Sequence, residues 1–219
     1  MVTVMEGITR PVLRIARELS LNSRSGLTTR FLSKKLDLPI EEVEYLVDVH
    51  HSFLFTDLTK IKLVSEGYGA IKRIHDGLEN YGDIPSIFRR VKILAQHDFR
   101  WLEEQLDIDK PGAKKSAAEQ LIDLYYRTPD ALVEYVATKS FSQTAREVFD
   151  IVWQSKAGIM SCAKIRAAHG GSEYEVEQAL WELFRGMALF ELFRFDGEDR
   201  LVRVAGLLSV LDEPVKLRN

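Results

Sequence analysis

Pro39-Ile40-Glu41-Glu42-Val43-Glu44-Tyr45-Leu46-Val47 and Ser172-Glu173-Tyr174-Glu175-Val176-Glu177-Gln178-Ala179-Leu180 are two versions of one pattern. Each opens on a residue suited to starting a helix and carries acids in its first turn. Each then places apolar residues at helical spacing: Val43, Leu46 and Val47 in one, Val176, Ala179 and Leu180 in the other. Leu32, Leu36 and Leu38 precede the first stretch, and Ile165 and Ala168 precede the second. The apolar runs Phe53-Leu54-Phe55 and Leu189-Phe190-Glu191-Leu192-Phe193 follow them. Val43 aligned on Val176 gives an offset of 133 residues. Thr28 to Ile74 and Ser161 to Leu208 thus each read as a short helix, a turn, a second helix and a β-hairpin.

The flanking elements extend the pattern. Residues 9 to 20 read as a helix with Val12, Ile15, Ala16 and Leu19 on one face. Ser23 to Gly26 turn the chain, and Thr28 or Thr29 caps a helix through Lys35. Val43, Leu46, Val47 and His50 form the stripe of the third helix. A turn is expected at Thr56-Asp57, with Lys60 to Val64 as the return strand. In the second half Ser142 caps a helix that turns Val148, Phe149 and Val152 inward, and Gly170-Gly171 separates the next two helices. Asp196-Gly197, between alternating runs, predicts a hairpin over Phe193 to Leu201. Between the halves, Tyr81-Gly82-Asp83 breaks the chain. Ser86 caps a long helix to about Leu106, Ala117 to Arg127 is helical, and Thr128-Pro129 restarts a helix.

This order resembles two copies of the winged helix-turn-helix fold. The strand running into Leu63-Val64-Ser65-Glu66-Gly67 resembles the wing exit of bacterial winged-helix regulators, a likeness covering about 65 residues. The resemblance implies a mostly α chain with small β-wings (α+β) and two winged-helix domains joined by a helical linker region. Residues 1–82 would form the first domain, 83–140 the linker and interface region, and 141–219 the second domain.

Composition narrows the class. The 219 residues are 46% hydrophobic and 29% charged, enough for two small cores, and the formal net charge is -3. A dedicated nucleic-acid binder is usually basic overall, so the balance weighs against one. One cysteine, Cys162, excludes an internal disulfide and points to a reducing, cytoplasmic location. No apolar run approaches the roughly 20 residues that span a bilayer. Glu6, Arg10, Arg14 and Arg17 interrupt any signal-peptide core, and no membrane association is expected.

No catalytic constellation assembles from the sequence. Ser161-Cys162-Ala163-Lys164 spells Ser-x-x-Lys, but its partner motifs are missing, so Ser161 reads as a helix cap and Lys164 as a solvated side chain. The histidines at 50, 51, 75, 97 and 169 lack the spacing of metal ligands. Gly67-Tyr68-Gly69 lacks the third glycine of a dinucleotide loop, and Cys162 reads as a small core residue. A non-enzymatic chain without metal or cofactor is expected.

Charge placement carries the functional expectations. In a base-reading helix-turn-helix the third helix presents Arg, Lys, Asn or Gln to the major groove. Here Glu41, Glu44 and Asp48 share an outward face of the first third-helix, and Glu173, Glu175, Glu177 and Glu182 crowd the second, against Arg185 alone. Cations lie elsewhere: Arg10, Arg14 and Arg17 on the first helix, Arg30, Lys34 and Lys35 on the next, and Arg194, Arg200 and Arg203 in the second wing. These nine are the candidate contacts for DNA phosphates or an acidic partner. Phe88, Phe99 and Trp101 on the long middle helix, beside Arg89, Arg90, Lys92 and Arg100, form a candidate partner or dimer interface together with Glu41, Glu44 and Asp48. Two functions follow. One is a tandem winged-helix protein of transcription regulation or another DNA-associated process, binding double-stranded DNA weakly and with little sequence selectivity. The other is a protein-protein interaction scaffold or adaptor subunit, with a protein partner or a homodimer.

Overall fold

A computed structural model describes residues 5–22, 25–82, 129–156 and 158–207. These are mostly helical, with two small antiparallel sheets, an α+β chain. The chain divides into two compact units. One comprises Met1–Glu79 with Phe193–Val202, the other Asn80–Leu192 with Arg203–Asn219. The long helix expected from Ser86 to Leu106 and the helix Ala117 to Arg127 lie outside the described residues.

The first unit begins with α1 (Arg10–Leu21), whose Pro11 sits where a missing N–H costs nothing. Its Val12, Ile15, Ala16 and Leu19 are buried, as the periodicity predicts. Helix α2 (Thr29–Leu36) is capped by the Thr28 hydroxyl, which accepts the Phe31 N–H at 3.2 Å. It ends where Asp37 enters the left-handed region at φ 55°. Helix α3 (Ile40–Val49) follows at once, and Glu41 and Glu42 in its first turn meet the positive end of the helix dipole.

Strands β1 (Leu54–Asp57) and β2 (Lys60–Leu63) then pair from Leu54 opposite Leu63 to Asp57 opposite Lys60. The turn is therefore Leu58-Thr59, and the expected turn at Thr56-Asp57 is corrected. Both residues extend β1, where a β-branched Thr56 fits and Asp57 accepts the Lys62 ammonium at 2.6 Å. Leu27 adds a strand-like partner to the return strand, exchanging two backbone hydrogen bonds with Ile61 at 3.0 and 2.7 Å. Just before it, Gly26 at φ +62° lies where a β-carbon would fall 2.9 Å from the Ile61 carbonyl, so only glycine fits. Helix α4 (Ser65–Gly82) closes the unit over Ala70, Ile71 and Ile74.

From residue 129 the chain forms α5 (Pro129–Thr138), α6 (Gln143–Trp153), β3 (Ile159–Ser161), α7 (Cys162–His169), α8 (Glu173–Arg185), β4 (Phe190–Phe195) and β5 (Leu201–Gly206), all in the second unit except residues 193–202 of the last two strands. Three serines cap helices through their hydroxyls: Ser142 on α6, Ser161 on α7 and Ser172 on α8, the last in a full capping box with Glu175. Gly170 ends α7 at φ +72°. Val176, Ala179, Leu180, Leu183 and Phe184 carry α8 into the core, whereas Ala168 on α7 is exposed. The sheet order is β3-β5-β4, so the segment ahead of α7 pairs with the return strand of the hairpin. Leu27 does the same ahead of α2, and periodicity foresaw neither strand.

At the tip of the second hairpin the Asp196 carboxylate accepts the N–H groups of Glu198 and Arg200 at 3.0 and 2.9 Å. Asp199, not Gly197, takes the left-handed conformation, at φ 57°. The tip belongs to the first unit. Gly7 N–H donates to Leu201 O at 2.7 Å, Leu201 N–H donates to Ile8 O at 2.8 Å, and Phe193 and Leu201 join that unit's core.

Candidate functional site

The outward face of α3 follows from what its inward face buries. Val43 and Val47 are buried and Leu46 packs against the core, so Glu41, Glu44, Tyr45, Asp48 and Val49 face solvent. Beside this face an open cleft of about 410 Å³ separates α3 from the first hairpin. Val47 and Ile61 supply its apolar lining, Glu44 and Asp48 its acidic side, and Thr29, Thr56 and Thr59 its hydroxyls. Leu58, at the hairpin turn, completes it. Leu58 is 94% exposed and takes φ +58°. A left-handed leucine costs roughly 1–2 kcal/mol, and here no burial of its side chain offsets that cost.

The cations expected to contact phosphate separate into three groups. Arg203 is corrected outright: it is 4% exposed, and its guanidinium donates to Glu191 and Glu177, each at 2.6 Å. Its ring-facing side lies 5.5 Å from the Phe184 centroid. Burial opposes its charge, but Cys162, Glu191 and Glu177 more than offset that and hold it protonated. A cation so enclosed is not a surface contact. Three others are exposed but engaged. Arg10 is paired with Asp199 and stacked over Phe195 at 4.1 Å; Arg14 donates to the Leu36 carbonyl at 2.9 Å, at the C-terminal end of α2; Arg200 lies 3.2 Å from Glu198. Arg17, Arg30, Lys34, Lys35 and Arg194 are exposed, with no ion pair among the described residues.

The acids of the second unit do not form the open face expected of them. Glu175 closes the capping box, and Glu182 accepts the N–H and hydroxyl of Ser142 at 3.0 and 2.8 Å. Glu177 binds Arg166 at 2.8 Å as well as Arg203. Burial pushes the Glu177 carboxyl up, yet Arg203 and then Arg166 outweigh it and hold it below its ordinary value. Of these four only Glu173 is exposed without such a partner among the described residues, and the outward residues of α8 include Tyr174 and Trp181. Glu41, Glu44 and Asp48 in the first unit have no such partners among the described residues.

The other flagged residues are structural where they are described. The Ser161 hydroxyl accepts the Lys164 N–H at 3.3 Å, which makes Ser-x-x-Lys a helix cap. Cys162 is buried. His169 Nδ1 accepts the Gly171 N–H at 3.2 Å, so its Nε2, 3.1 Å from Glu147, carries the proton in the neutral ring. Among the described residues no three His, Cys, Asp or Glu side chains group as metal ligands, and no helix is long and apolar enough to cross a membrane. Phe88, Phe99 and Trp101, with Arg89, Arg90, Lys92 and Arg100, lie outside the described residues.

Leu58 and Phe31 are the site residues that sequence reasoning missed. Leu58 gives no turn signal, because its conformation is one that Gly or Asn normally marks. Phe31 had a signal: an aromatic at a solvent position of α2, flanked by Arg30, Lys34 and Lys35. Compared with protein-family models and with curated proteins, the chain matches none of either.

Proposed function

We propose that this chain is a non-enzymatic, cytoplasmic tandem winged-helix protein that binds proteins, docking them on the α3–hairpin face of its first unit. The observation that carries this reading is the exposure of Glu41, Glu44 and Asp48 on α3, beside a cleft of mixed polar and apolar lining with Leu58 exposed at its rim. A groove-reading helix would place cations there, and carboxylates repel phosphate. They attract Lys and Arg side chains instead, while Tyr45, Val49 and Leu58 supply apolar contact. The helix, helix, helix, hairpin order of both halves supports the winged-helix assignment, by analogy of fold alone.

A second reading has its own support: Arg17, Arg30, Lys34 and Lys35 are exposed cations of the kind that contact a duplex through phosphates. In this reading the chain serves transcription regulation or another DNA-associated process, with weak, salt-sensitive and unselective binding. Two substitution pairs separate the readings. Glu44→Lys with Asp48→Lys removes protein capture if the first reading holds and leaves it intact if it fails. Arg17→Glu with Lys34→Glu removes duplex retention if the second holds. Arg14 is left untouched because it also supports the end of α2.

A further inference from the structure

We infer that the occupant of the α3–hairpin cleft is a second copy of this chain, inserting Phe31 from its own α2. The inference rests on the docking reading above and names its partner. Phe31 is 48% exposed on a helix whose apolar side is already buried through Leu32 and Leu36. Lys34 and Lys35 follow it one turn on, and both are exposed. The result is an aromatic knob rimmed by cations. The cleft carries the opposite charge, with Glu44 and Asp48 at its side, the exposed Leu58 at its rim, and Val47 and Ile61, both largely buried, at its base. Charge is therefore complementary between two surfaces of one unit.

The two surfaces cannot meet within one copy. Thr29 of α2 lines the cleft. At about 100° per residue, Phe31 points roughly 200° away from Thr29 around the helix axis, with Lys34 and Lys35 within about 60° of Phe31. Knob and cleft thus open to opposite sides of α2. A copy whose knob fills its neighbour's cleft leaves its own cleft empty, so the contact is heterologous and propagates into a ring or an open stack. Exposed ion pairs alone contribute little, so burial of Phe31 supplies most of the affinity, and association is weak and salt-sensitive.

The test is sedimentation velocity of the full chain from micromolar to millimolar concentration at low and high salt. The expected result is a mass that rises from 25.1 kDa beyond a dimer as concentration increases, and falls back in high salt. Phe31→Ala weakens association by about tenfold or more. Lys34→Glu with Lys35→Glu, and separately Glu44→Lys with Asp48→Lys, weaken it by roughly a hundredfold, since each sets like charges face to face. Mixing the two doubly reversed chains restores association, because the reversed knob meets the reversed cleft and the unchanged knob meets the unchanged cleft, so that only contacts between like chains repel. The mixture assembles beyond a dimer with the two chains alternating, and a mixture that stays as weak as either variant alone overturns the inference. Circular dichroism checks that each variant is folded. If the reversed pairs are not, Lys34→Gln with Lys35→Gln and Glu44→Gln with Asp48→Gln replace them, each weakening association. A wild-type chain that stays monomeric at low salt overturns the inference, as does association unaffected by Phe31→Ala or by reversal. If a foreign chain still depends on Glu44 and Asp48, the self-association inference alone fails; if none does, the docking reading fails with it.

Discussion

Replacing Arg203 by methionine removes a guanidinium whose side chain is 5% exposed and which donates two 2.6 Å hydrogen bonds. The two carboxylates do not lose equally. Glu177, 23% exposed, keeps Arg166 at 2.8 Å. Glu191, 14% exposed, loses the Arg203 bond on the adjacent strand and keeps little access to water. Breaking a buried pair in this way costs about 3–5 kcal/mol, most of it the desolvation of carboxylate charge that Arg203 no longer offsets. Methionine retains much of the packing against Phe184, so the loss is electrostatic rather than a cavity. The partner-matched change, Arg203→Met with Glu191→Met, recovers most of that loss, because replacing both members of a buried pair by apolar groups is often close to neutral. Urea unfolding followed by hydrogen exchange at the amides of α8, which lies wholly within the second unit, reports this unit by itself. Arg203→Met within about 1 kcal/mol of wild type, or a double variant no more stable than the single one, refutes the reasoning.

Three further outcomes are expected. Glu177 titrates below its ordinary value in the folded chain, so its contribution is complete above the unfolded pKa and is lost as pH falls through the folded one. Acid titration of the second unit by circular dichroism should show that loss, and Arg203→Met should move it to higher pH. Leu58→Gly removes a left-handed leucine and changes thermal stability by no more than about 1 kcal/mol in either direction, strain relief opposing chain entropy; its capture of partner falls nonetheless, which calorimetry and pull-down measure separately. Gly26→Ala places a methyl group 2.9 Å from the Ile61 carbonyl at φ +62° and destabilises the first unit by about 1–3 kcal/mol in urea unfolding.

The features legible in the sequence are those set by neighbours in the chain. Thr28, Ser142 and Ser172 cap helices because a hydroxyl reaches an N–H three residues on, a relation that spacing alone displays. The apolar stripes of α1, α3 and α6 are legible for the same reason. What sequence reasoning missed depends on partners far along the chain. Arg203 reads as a wing cation until Glu177, 26 residues away, and Glu191, 12 residues away, enclose it. A signal existed in its alternation with Leu201 and Ala205, two buried residues on the same side of β5. Strand β3 is three residues long and Leu27 makes a single bridge, so neither shows a period. The first hairpin turn lacks the Gly or Asn that normally announces one, which shifted its expected place by two residues. Acidity on α3 was legible; that α8 ties up its own acids was not, since Ser142, Arg166 and Arg203 come from three other segments.

A photo-crosslinking residue at Leu58, used in the native cell, tests the docking face most directly. Leu58 is exposed at the rim of the cleft, so whatever occupies the cleft lies within reach of its side chain. The expected adducts are to protein segments carrying Lys or Arg beside an aromatic residue, including Arg30 to Lys35 of another copy, and they disappear when Glu44 and Asp48 are reversed to lysine. Adducts to nucleic acid, or protein adducts indifferent to that reversal, contradict the account.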